Sequence, residues 1–136
     1  MDEEEEKQIK EHQETLLKIS MQSGVSLLKE YYRATYSECW KCNEDILLFT
    51  WPGCRNENEE ITPKEPRPKT VQYRYSKTAG INYWSNTCPY CESLQGEFFL
   101  YSEPDSPLFG FTCGDDSIES YKADIKTLAL QCNGWW

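Results

Sequence analysis

Hydrophobic and polar positions change rhythm once, near residue 35. Before it, Leu17, Met21, Val25, Leu28 and Tyr32 recur at steps of three or four residues, a stripe along one face of a helix. This predicts an N-terminal amphipathic helix over residues 2–33, its acidic DEEEE run on the first turn where the helix dipole favours negative charge. Gly24 costs such a helix ~1 kcal/mol relative to alanine and marks a kink or a close contact. The stripe predicts either packing on the helix's own domain or a face for a partner or a second copy.

After residue 35 the texture is that of strands. TYSEC and EDILLFTW, rich in β-branched and aromatic residues, flank Cys39-Trp-Lys-Cys42 and predict a hairpin closed by Trp51-Pro52-Gly53. Residues 55–69 are polar and proline-rich, a solvated surface loop. VQYRY begins another strand, GINYWSN leads into a second cysteine pair, and QGEFFLY after it is the expected partner strand. EPDSPLFG reads as a turn region, and residues 117–132 fit a helix or a strand equally. The expected fold is α+β, with the helix at 1–33 and a β-rich unit at 34–136.

Charge narrows the function classes. With a formal net charge of −9 over 136 residues, the chain lacks the general basic character of a phosphate-backbone binder. No lysine or arginine lies between Lys77 and Lys122, whereas Glu92, Glu97, Glu103, Asp105, Asp115, Asp116 and Glu119 do, a sign that suits a basic protein partner. The N-terminus is acidic where a signal peptide would be basic and then apolar, and no apolar run nears the ~20 residues of a membrane span. The expectation is a cytoplasmic protein. Its seven cysteines, an odd number, are then expected to be reduced.

Chemistry concentrates in two Cys-x-x-Cys pairs, Cys39/Cys42 and Cys88/Cys91, separated by 45 residues. Cys88-Pro-Tyr-Cys91 alone admits two readings. As a glutaredoxin-like dithiol it would open a helix whose N-terminus lowers the first thiol's pKa. Yet Gly96 follows five residues later, and the 45 residues after Cys91 show no cis-proline turn leading into a strand. As half of a metal clamp it uses the other pair too. Two residues between thiolates let both sulfurs reach one ion at ~2.3 Å, and two such knuckles supply a closed tetrahedron. A structural Zn²⁺ on Cys39, Cys42, Cys88 and Cys91 is therefore expected, with iron chemically admissible in the same cage.

With CWKC and NYWSNTCPYCESLQGEFFLYSEP on the page, residues 36–104 resemble small bacterial and phage-type zinc-ribbon proteins of poorly defined function. The shared residues are Cys39, Trp40, Cys42, Trp84, Asn86, Cys88, Cys91, Gln95, Gly96 and Glu97. The resemblance implies a zinc-ribbon fold and a four-cysteine metal site, and it brings no activity with it. Those proteins often carry glycine where this chain has Glu92, so a positive φ there would strain this residue or alter the turn.

The remaining candidates are weaker. Trp84 is expected to shield the metal or anchor a partner, and Asn86 to hydrogen-bond the knuckle backbone or a thiolate. The Trp135–Trp136 pair is either a folded-back cluster or a docking patch. His12, the single histidine, is expected to be solvated, so no Ser-His-Asp set can be built, and no glycine-rich phosphate loop is present. Cys54, Cys113 and Cys132 read as small apolar fillers. The expected role is non-enzymatic: a zinc-stabilised protein-interaction module. A nucleic-acid-associated ribbon is the alternative, which would need Arg33, Lys41, Arg55, Arg67, Lys69, Arg74 and Lys77 to gather on one face. A dithiol oxidoreductase is the second alternative.

Overall fold

The computed structural model describes residues 3–27, 32–51, 62–77, 80–96 and 100. In chain order the elements are helix α1 (Glu3–Ser23) and strands β1 (Arg33–Glu38), β2 (Asp45–Thr50), β3 (Val71–Ser76) and β4 (Ile81–Asn86). The strands form two antiparallel two-stranded sheets, β1–β2 and β3–β4, giving the expected α+β class.

α1 stops ten residues short of the expected end. Gly24 does not kink the helix; it terminates it. Its φ of +72° is the left-handed conformation of a helix C-cap, and its N–H donates to the Ser20 carbonyl at 2.9 Å. Ser23 Oγ donates to the Ile19 carbonyl at 2.8 Å, so the last turn caps itself. That turn has no basic residue of its own, and Lys69 supplies one from a distance, its Nζ 3.4 Å from the Ser23 carbonyl.

The buried face of α1 also differs from the apolar stripe. Leu16 and Ile19 are buried, whereas Leu17 is 46% and Met21 85% exposed. His12 shares the inward side: it is half-buried, its ring 5.1 Å from that of Tyr36 and its Nε2 3.5 Å from Thr35 Oγ1. It is not the solvated residue its sequence position implied. A helix packed across β1 and β2 accepts polar neighbours at its margin, so the true face mixes His12 with Leu16 and Ile19.

β1 and β2 pair in register from Arg33↔Thr50 to Glu38↔Asp45, as the sequence led one to expect. All of Ile46–Thr50 is buried, the pattern of a strand covered on both sides. The core joins Leu16, Ile19 and Val25 to Tyr32, Phe49, Trp51 and Val71. Each large side chain removed from water there contributes ~1.5–3 kcal/mol before conformational entropy is charged. Tyr32 meets Phe49 and Trp51 edge-on, with ring centroids 6.4 and 6.1 Å apart.

The same Tyr32 donates its hydroxyl to the Lys64 carbonyl at 2.7 Å. Pro63 and Pro68 are buried with it, so the described end of the proline-rich segment is a surface loop anchored on the core at two points, with Thr62, Lys64, Glu65, Pro66 and Lys69 exposed. This segment leads into β3, whose partner is β4, in register from Val71↔Asn86 to Ser76↔Ile81. VQYRYS is thus one partner of β4; QGEFFLY, the expected one, lies largely outside the described residues, and its first residue, Gln95, donates its N–H to the Asn86 carbonyl at 2.9 Å. Residues 52–61, 97–99 and 101–136 lie outside the described residues. So, with them, do Cys54, Cys113, Cys132, the Trp135–Trp136 pair and the ambiguous 117–132 segment.

Candidate metal centre

Each cysteine pair sits in the same backbone turn. In the first, the Cys39 N–H donates to the Glu44 carbonyl at 2.9 Å and the Asn43 N–H to the Cys39 carbonyl at 3.0 Å. In the second, the Cys88 N–H donates to the Ser93 carbonyl at 2.9 Å and the Glu92 N–H to the Cys88 carbonyl at 3.0 Å. The match extends to sulfur: Lys41 N–H points at Cys39 Sγ and Tyr90 N–H at Cys88 Sγ, both at 3.4 Å. The residue after each second cysteine has a left-handed backbone, φ 62° at Asn43 and 63° at Glu92.

Both turns are flanked by paired residues, Glu38↔Asp45 and Thr87↔Leu94. The first knuckle is the tip of the β1–β2 hairpin. The second is not the tip of β3–β4; it continues from the far end of β4, held by the single Thr87–Leu94 bridge. The strain expected at Glu92 is present, because asparagine tolerates φ > 0 far better than glutamate does.

The two knuckles face one another. Cys39 Sγ lies 3.6 Å from Cys91 Sγ, and Cys42 Sγ 3.6 Å from Cys88 Sγ. All four sulfurs fall within 4.8 Å of each other, and all four thiols are free. A tetrahedron of thiolates at ~2.3 Å from one ion has edges of ~3.8 Å, so the cluster needs little adjustment to close on a cation. The 3.6 Å separations are far beyond the ~2.05 Å of a disulfide.

The surroundings act on these sulfurs in opposite directions. Gln95, fully buried, directs Nε2 to Cys39 Sγ at 3.4 Å and to the Ser93 carbonyl at 3.1 Å. Ser93 Oγ is 3.0 Å from Cys91 Sγ, and this hydroxyl, with the Ser93 backbone, pulls the Cys91 thiol down to about 6. Burial pushes Cys88 up to about 12. Four thiols drawn this closely repel one another's ionisation, and a cation bound among them would make four thiolates compatible.

Two further contacts hold the knuckles, one between the two and one to β3. Trp40 of the first donates its indole Nε1–H to the Leu94 carbonyl of the second at 2.7 Å. Arg74, on β3, donates to the Glu92 carbonyl. Sequence patterns carried no role for Trp40, Ser93 or Gln95 here, although Trp40 and Gln95 belong to the shared motif. Asn86 departs from its expected role: its amide binds neither the knuckle nor a thiolate but the main chain of Phe49 on β2. Trp84 is half-buried against the core, beside Tyr73 (centroids 5.5 Å apart), with the Arg67 guanidinium 4.5 Å above its ring.

No protein-family model, no curated protein and no solved structure matches this chain. No described helix is long and apolar enough to cross a membrane.

Proposed function

We propose that the protein is a zinc-stabilised, non-enzymatic binding module of zinc-ribbon type. In it Cys39, Cys42, Cys88 and Cys91 hold one structural Zn²⁺, and the folded surface is presented to a macromolecular partner. The supporting observation is the convergence of two identical Cys-x-x-Cys turns, 45 residues apart, into one cluster of four free thiols within 4.8 Å. All-sulfur donors and tetrahedral spacing favour zinc, and four protein ligands leave no position for a substrate. The metal would supply folding free energy on the order of 10 kcal/mol and fix the two hairpins in one relative placement. A surface held in advance binds with less ordering cost.

The dithiol reading has less behind it. Cys88 does not open a helix; it begins a tight turn that returns to pair Leu94 with Thr87. Elemental analysis of protein purified without added metal tests the proposal. One zinc per chain is expected, with loss of the fold when a strong chelator is added and loss of zinc in Cys42→Ser or Cys88→Ser. Metal-free, folded protein that exchanges disulfides through Cys88 would replace this reading with the oxidoreductase one.

A further inference from the structure

The outer face of β3–β4 carries an aromatic row that runs from Trp84, packed against the core, out to the exposed Tyr75. Strand alternation places Tyr73 and Tyr75 of β3 on one face with Trp84, which is in register with Tyr73. Tyr73 and Tyr75 are 43% and 59% exposed, and Trp84 continues the row towards the core. Asn82 stands opposite Tyr75, adding an exposed amide beside the rings.

The segment that carries this row is basic, unlike the chain as a whole. Residues 62–91 contain five basic side chains, Lys64, Arg67, Lys69, Arg74 and Lys77, against one acid, Glu65, although the whole chain is at −9. Arg67 stacks on Trp84 at the row's inner end, and Lys77 follows β3 two residues beyond Tyr75. Arg74 and Lys69 are engaged with the Glu92 and Ser23 carbonyls, which leaves Arg67, whose Nε also donates to the Pro63 carbonyl at 3.3 Å, and Lys77 as the cations at the two ends of the row. Arg33 and Lys41 belong to the other hairpin. Glu65 pairs with Arg67 at 3.2 Å but is 78% exposed, a bond that a phosphate can displace.

From this geometry we infer that the β3–β4 face binds single-stranded nucleic acid, with bases stacked on Tyr73 and Tyr75 and phosphates held by the flanking cations. Aromatic rings two residues apart on a strand sit ~6.6 Å apart, a step that splayed bases of an extended single strand can follow. Stacking is sequence-tolerant, so little sequence preference is expected. The excess of cations chooses a polyanion over a neutral proline-rich peptide, the other ligand that an aromatic sheet face accepts. The inference depends on the binding-module reading only in that the site must be folded.

The test is fluorescence anisotropy of labelled 15-mer oligo(dT) and oligo(U) with the full chain as purified, its metal content and melting temperature measured separately. Saturable binding is expected, weakening ~25-fold for a tenfold rise in salt, as two phosphate contacts on a single strand require. Tyr75→Ala should weaken it about tenfold while Tyr75→Phe, which keeps the stacking face, should not. Glu65→Gln should tighten binding by releasing Arg67, a gain that a merely structural role does not produce. Folded protein that ignores both oligonucleotides at low salt overturns the proposal. So does binding unchanged in the Tyr73→Ala/Tyr75→Ala double variant, or preference for a proline-rich peptide, an anionic vesicle or duplex DNA. A metal-free protein that binds would sink the zinc reading and leave this one standing.

Discussion

Asn86 holds the main chain of Phe49 with both ends of its side-chain amide: Oδ1 accepts from the Phe49 N–H at 2.8 Å and Nδ2 donates to the Phe49 carbonyl at 3.0 Å. One side chain on β4 thus offers β2 the donor and acceptor that a neighbouring strand would. It joins the two sheets where neither shares a ladder with the other.

Replacing Asn86 therefore strands two buried backbone groups. Asn86→Ala should destabilise by roughly 2–4 kcal/mol, and Asn86→Asp by no less, because a carboxylate cannot donate to the Phe49 carbonyl and would be buried. Urea unfolding of both variants at equal metal content checks this. Wild-type stability in either would dismiss the bridge as incidental.

The matched knuckles make a sharper comparison. Glu92→Gly should stabilise by ~0.5–1 kcal/mol by relieving a left-handed residue with a side chain, after glycine's extra chain entropy is subtracted. Asn43→Gly, at the equivalent place, should change stability by only a few tenths, since asparagine accepts that conformation. Chemical denaturation of the two variants side by side measures the strain at Glu92, and equal effects at the two positions would overturn it.

Trp40 ties one knuckle to the other through its indole N–H. Trp40→Phe keeps most of the ring and removes that donor, leaving the Leu94 carbonyl to solvent. Because the site is 54% exposed, the cost in global stability should be small, ~0.5–1 kcal/mol. The larger expected effect is faster metal release, read as the rate of transfer to a colorimetric chelator. An unchanged rate would show that the indole does not couple the two turns.

His12 sets an acid limit. Burial lowers its pKa in the folded state from the usual 6.5. Between the lowered folded value and 6.5 the unfolded chain binds more protons, so stability is full above ~6.5 and falls as pH drops below it. Thermal melts at pH 7.5 and pH 5.5 should show a loss that is reduced in His12→Gln. Thiolate protonation also weakens a metal site in acid, so the histidine's share is the difference between the two proteins.

The β1–β2 hairpin and the four-cysteine grouping were legible because each is written locally: alternating β-formers around a turn, and cysteines at metal-ligand spacing. The helix was legible as an element but not in its face. Leu17 and Met21 keep the right period, yet Leu16 and Ile19 are the residues that meet the sheet, and periodicity does not distinguish two adjacent stripes when His12 is part of one of them. The pairing of β3 with β4 was not foreseen, since strand-forming segments lie on both sides of β4 in the chain. The roles of Asn86 and Gln95 have no local signature at all. Their partners, Phe49 and Cys39, are 37 and 56 residues away, and only the assembled fold brings them within reach.

The turn around Cys39 and its counterpart around Cys88 are clasped at the ends of a long stretch of chain, and that has a consequence for how the molecule tolerates change. Once both ends are pinned, lengthening what lies between costs only logarithmically, ~0.6 kcal/mol for each doubling. Insertions between the described strands β2 and β3 should thus be absorbed cheaply. A single residue added between Cys88 and Cys91 would misplace a sulfur and open the clasp. The protein is permissive in its spans and exacting at its buckles.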